Sequence, residues 1–192
     1  MGAPLFRALL ALALCAAPVV PALAQVNSGT SAPVVIPPNV AALNAINVAL
    51  RRGEKAEALR LAEDGVHQFP HDAQLRFVRA VLLGDLNRVD EATAVFESMC
   101  SEFPELPEPY NNLAVIRANQ GKYAEAEHLL QQSLAAQPNY VTARENLGDL
   151  NVAMAIDNYV QAGKLDPANI ILKKKLALAR EMSDKLHAVR SR

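Results

Sequence analysis

With 192 residues the chain is of one-domain length and long enough to bury a core. Hydrophobic residues make up 51% but aromatics only 5%, with no Trp, and the surplus of Ala and Leu favours helices over strands. A net charge of −1 supplies no field for nucleic acid, so that class of partner is not expected.

Residues 1–24 read as a signal peptide. Arg7 gives the positive start, "ALLALALCAA" is an apolar run of the right length, and Ala22-x-Ala24 offers a small-residue cleavage site, so the mature chain is expected to begin at Gln25. Two other readings are a membrane anchor, which Pro18 and Pro21 interrupt, and a lipoprotein lipidated at Cys15, where the bulky Leu14 fits poorly. Export predicts a periplasmic or secreted protein with no transmembrane anchor after cleavage. Cleavage leaves Cys100 as the one cysteine, so no internal disulfide can form.

Residues 25–38, with Pro33, Pro37 and Pro38 among small polar residues, read as a disordered lead-in. Beyond them a period of 34 residues appears. Pro70, Pro104 and Pro138 keep it, as do Ala58, Ala92 and Ala126, and Gly53, Asn87 and Gly121. The Gly/Asn positions suit the left-handed end of a first helix. The alanines allow close approach of a second, and the prolines end it.

These residues resemble the tetratricopeptide repeat, a helical hairpin of that length. The match is best at 107–140, with Tyr110, Leu113, Ala114, Gly121, Tyr123, Ala126, Leu130 and Pro138 in pattern. Unit 73–106 keeps Ala80, Ala92, Phe96 and Pro104 but has Arg79 where Leu is usual. Unit 39–72 has small Ala42 and Ala45 where large residues normally wedge, and Ile46 where a small one is usual. The resemblance implies an all-α fold, a right-handed superhelical solenoid of three full hairpins (39–72, 73–106, 107–140), a shortened unit at 141–167 and a C-terminal capping helix at 168–192. "ELPEPYNNLAV", "ARENLGD" and "KLALAR" further resemble exported proteobacterial repeat proteins, some of which carry an L,D-transpeptidase-associated domain not found in these residues.

The shortened unit keeps Leu147, Gly148, Ala155, Tyr159, Ala162 and Pro167 but lacks five residues at the turn. A tight hairpin would have to turn at Asn151–Ala153 without a strong breaker. The preferred expectation is one helix from about Val141 to Leu165, with the terminal helix folding back from about Asn169.

No catalytic constellation, cofactor motif or metal motif stands out, and the chain does not read as an enzyme. His67 and His71 have a helical ligand spacing, but Pro70 separates them. Cys100 reads as a buried small hydrophobe. The resemblance implies that the first helix of each repeat lines a concave face where a protein or peptide lies. The corresponding positions are Asn47, Arg51, Phe77, Val81, Asn111, Val115, Asn119, Glu145 and Asp149. Repeats that clamp a terminal carboxylate carry a Lys, Asn, Asn, Lys, Arg pattern. Here Asn47 fits, but Leu43, Val78, Glu108 and Asn112 do not, and a carboxylate among them would be unpaired.

Charge is uneven. Between Asp85 and Glu108 seven acids face only Arg88, whereas Lys173 to Arg192 is strongly basic. The basic end suits a helix C-terminus, an anionic surface or the acidic region of a second copy. The function expected from sequence is an exported adaptor for a protein or peptide, with an envelope or peptidoglycan-associated partner. The other reading is a structural protein that self-associates through its repeats into a homo-oligomer.

Overall fold

The computed structural model describes residues 37–190; the expected leader and residues 25–36 of the lead-in lie outside the described residues. Eight helices are described: α1 (Pro38–Arg51), α2 (Lys55–Gln68), α3 (Ala73–Asp85), α4 (Val89–Glu102), α5 (Pro107–Asn119), α6 (Tyr123–Ala136), α7 (Val141–Leu165) and α8 (Ile170–Arg190). The described residues contain no strand. They divide into two compact units, one ending at residue 92 and the other beginning at 93. Pro38 belongs to α1 rather than to the lead-in. At the first helical position a missing N–H costs nothing, and the fixed φ already suits a helix.

The 34-residue period is a repeated backbone device. Gly53, Asn87 and Gly121 have φ of 76°, 63° and 75°. At each, the following amide reaches back five residues: Glu54 donates to the Ala49 carbonyl (3.0 Å), Arg88 to Leu83 (2.8 Å) and Lys122 to Arg117 (2.9 Å). The left-handed residues themselves donate to the Leu50, Gly84 and Ala118 carbonyls, so at each helix end two of the orphan carbonyls are satisfied as the chain reverses.

In the first unit α2 crosses near Gly65, where an added Cβ would lie 3.0 Å from Leu75 Cδ2 and 3.6 Å from the Ala42 Cβ. This contact explains the small Ala42: with no side chain at Gly65, α1, α2 and α3 meet closely. Ile46 is fully buried nearby in the sequence, so the first hairpin keeps a core. Asp72 caps α3 by accepting from the Leu75 amide (2.9 Å) and also accepts from Asn39 Nδ2 (2.9 Å).

In the second unit Ala114, Ala118, Ala126, Leu130, Ala143, Leu150 and Ala153 form one buried cluster, flanked by Tyr123, Leu134, Tyr140, Leu147 and Met154. Buried Ser133 donates to the Pro107 carbonyl (2.8 Å), and Tyr110 to that of Cys100 (2.9 Å), fixing where α5 begins.

α7 runs through Asn151–Ala153 as one helix of 25 residues, the form expected where no breaker is present. Its first half is built like the first helix of a repeat, with Ala143, Asn146, Leu150 and Ala153 buried. Beyond Ala153 no residue of α7 is buried. α8, capped by Asn169 accepting from the Leu172 amide (2.9 Å), packs back along α7. Gly148 shows the consequence. Its counterparts Ile46, Ala80 and Ala114 are buried, yet Gly148 is exposed, and a Cβ there would meet nothing within 4 Å.

Two glycine-to-alanine changes should therefore have opposite signs. Gly121→Ala forces a Cβ into the left-handed region and is expected to cost about 1–2 kcal/mol. Gly148→Ala, on an open helix face, is expected to stabilise by about 1 kcal/mol. Urea unfolding of both variants checks the pair; a loss of stability in Gly148→Ala would show that this face is covered.

Candidate functional site

The positions expected to line a concave face are described unit by unit. In the first unit, Arg51 on α1 is exposed, Asn47 and Phe77 are half-buried, and Val81 on α3 is buried. In the second, Asn119 at the end of α5 and Glu145 on α7 are exposed and Asp149 is half-buried, whereas Asn111 and Val115 are buried. The packing of the folded chain thus takes up Val81, Asn111 and Val115, leaving six of the nine positions with exposed surface.

Asn111 has an internal use that its side-chain chemistry alone does not reveal. Its Oδ1 accepts from Asn146 Nδ2 at 2.8 Å, a buried bond between α5 and α7. A buried amide costs stability unless paired, and here two amides pair with each other. Asn146 was not among the expected site residues. Its signal was a polar residue inside an apolar helical pattern, one repeat after Asn112.

The acidic run is less bare than its sequence. Lys55 reaches Asp85 (2.6 Å), Arg88 holds Glu91 (2.6 Å), and Arg117 lies between Glu97 (2.5 Å) and Glu125 (3.2 Å). Arg117 is mostly buried and joins α4, α5 and α6. Glu105 lies in the α4–α5 turn and is exposed.

Two family profiles, both described as tetratricopeptide repeat, match residues 43–107 and 85–147, together more than half of the chain. The chain belongs to the tetratricopeptide repeat family. Solved structures agree on the fold. The first repeat domain of Spaghetti (RPAP3) bound to the HSP90 peptide SRMEEVD matches at 20% identity and TM-score 0.56, over 61% of this chain and 93% of that one. A tetratricopeptide repeat protein from Parabacteroides merdae matches at 19% and 0.56, over 80% of this chain and 62% of that one. MamA from Desulfovibrio magneticus matches at 23% and 0.53, over 78% and 89%. No curated protein matches the sequence.

Within this tetratricopeptide chain, three of the carboxylate-clamp positions are used structurally. Leu43, Val78 and Asn112 are buried, and Asn112 Nδ2 donates to the Glu108 carbonyl (2.9 Å). His67 is in the last turn of α2 and His71 in the turn after it, both exposed and on no common helix. Among the described residues no group of three His, Cys, Asp or Glu is placed to hold a metal ion, and no helix is long and apolar enough to cross a membrane.

Cys100, near the end of α4, is a half-buried free thiol. Burial, assisted by the charge of Glu97, pushes it up to about 11. At neutral pH it is therefore a protonated thiol rather than a nucleophile. A thiol held protonated when folded but ionising near its ordinary value when unfolded adds stability below that value. The contribution is lost as the pH rises through the folded one.

Two measurements follow. Unfolding free energy should fall between about pH 9 and pH 11, with a shallower slope in Cys100→Ser, measured in urea against pH. Asn111→Ala, which removes the buried acceptor of the Asn146 Nδ2–H, should cost about 1–3 kcal/mol. The double change Asn111→Leu/Asn146→Leu should cost less than the two single leucine changes added together.

Proposed function

We propose that this protein is an exported, non-catalytic adaptor that binds an internal segment of a protein or peptide, with a partner in the bacterial periplasm or cell envelope. Tetratricopeptide repeats are protein-interaction modules, and Spaghetti's repeat, which shares the fold, holds a peptide.

The observation that carries the mode of binding is the burial of Leu43, Val78 and Asn112 together with the carbonyl bond of Asn112. Leu43, Val78 and Asn112, three of the positions that would supply charged and amide groups to a terminal carboxylate, are committed to the fold. A carboxylate set against Leu43 or Val78 in the first unit, or against Asn112 in the second, would lose its hydration without gaining a cation. The exposed and half-buried residues available instead are Asn47, Arg51 and Phe77 in the first unit, and Asn119, Glu145 and Asp149 in the second. Amides can donate to and accept from an extended backbone, Phe77 supplies apolar contact, and the charged residues select the sign of flanking side chains. The signal-peptide pattern of residues 1–24 supports export.

The test is a photo-crosslinking residue at Asn119, with one at exposed Gln132 on α6 as the off-face control, in a Gram-negative host. A discrete envelope-protein adduct at the first position but not the second is expected. The adduct should persist when the recovered partner's C-terminal carboxylate is amidated. Equal labelling from both positions, or sensitivity to amidation, would refute the mode of binding. N-terminal sequencing of the cell-fractionated protein tests export separately: a start at Gln25 in the periplasm is expected, and an intact Met1 in the cytoplasm would overturn it.

A further inference from the structure

α8 carries two adjacent apolar stripes, and α7 covers only one. The first stripe, Leu172, Leu176, Ala179, Ser183 and Leu186, is half-buried or buried. The second, Ile171, Lys175, Leu178 and Met182, continues to Leu186 at spacings of four, three, four and four, the spacing of a helix seam. Ile171, Leu178 and Met182 are 69%, 66% and 53% exposed. A shallow groove lies along this second stripe, lined by Leu178, Met182 and Leu186 with Glu181 and Lys185.

We infer that this stripe is the contact surface for a second copy of the chain, with two α8 helices packed antiparallel about a dyad at Leu178. The spacing is self-complementary. With Leu178 at the axis, Ile171 comes within one residue of level with Leu186 of the second copy, and the aliphatic stem of Lys175 within one residue of level with its Met182. Charge fixes the direction. Lys174 and Glu181 flank the same side of the stripe, one on each side of the axis. In an antiparallel pair, residues on that flank meet their counterparts, so Lys174 lies beside Glu181 of the second copy, and the dyad repeats the pair. A parallel pair would instead bring this flank against the opposite flank of the second copy, so Lys174 and Glu181 could not pair with one another and the attraction would be lost. Lys185 already orients the Glu181 carboxylate on this flank (2.6 Å). The surface is separate from the groove positions, so failure here leaves the adaptor reading standing, and the reverse holds.

The test uses the full chain and measures mass by sedimentation equilibrium up to about 100 µM. The wild type should be a dimer. Leu178→Glu, which places two carboxylates at the axis, should be monomeric with unchanged circular dichroism. Lys174→Glu and Glu181→Lys should each weaken the dimer about tenfold or more, and the double exchange should restore it to within about threefold. These two residues are exposed, so the exchange tests the proposal even where Leu178→Glu disturbs folding. A monomeric wild type, or a dimer indifferent to the charge exchange, overturns the inference. So does a monomer whose binding to phosphatidylglycerol vesicles is lost in Leu178→Glu, an outcome that assigns the stripe to a lipid surface.

Discussion

Two helices can pack closely only if neither presents a bulky side chain where they meet, and the rest of this fold is arranged around that requirement. Ala58, Ala92 and Ala126 are completely buried, one in the second helix of each full repeat. Close packing is of no use unless the chain can reverse within two or three residues to deliver the second helix. The left-handed residues Gly53, Asn87 and Gly121 perform that reversal, closing the C-terminal end of each first helix with the same pair of bonds. Alanine and turn residue therefore recur together because each is useless alone.

The same arrangement decides where function can lie. One side of each first helix is consumed by packing, which is why Val81, Asn111 and Val115 are buried while Arg51, Asn119 and Glu145 stay exposed. Asparagine serves both purposes in this chain. Asn111 and Asn146 satisfy each other inside, at a position where two apolar residues would pack but would not demand a particular pairing of α5 with α7. Asn119, at the last position of α5, is free of that duty and open to solvent.

Much of the fold was legible because a period of 34 residues specifies which positions face inward and where the chain turns. Even the long α7 followed from the lack of a breaker between Gly148 and Gly163. The site was less legible, for a definite reason: periodicity identifies faces but not neighbours. Nothing in the spacing of Asn111 marks its bond to a residue 35 positions later, and the acidic run from Asp85 reads as unneutralised because Lys55 and Arg117 come from other helices. Ala42 was misleading for a similar reason. It appears too small until Gly65 is placed against it, with Leu75 filling the remaining space.

Losing the turn of the fourth unit changes what the end of the array must do. In a full repeat the second helix returns over the first and covers its small residue, as at Ala114. In the fourth unit that half of the hairpin continues straight on, and Gly148 is left open. α8 then returns along α7 in the absent helix's stead, but one helix cannot cover both the repeat-like first half of α7 and its extended second half as fully as a repeat neighbour would. The half-buried character of Met154, Ile156, Tyr159 and Val160 records that shortfall. A helix that serves only to cap an array needs an apolar stripe on one side and a polar surface on the other. α8 instead keeps Ile171, Leu178 and Met182 outward, beside lysines and a glutamate placed to select an orientation, and that surplus goes beyond what capping requires.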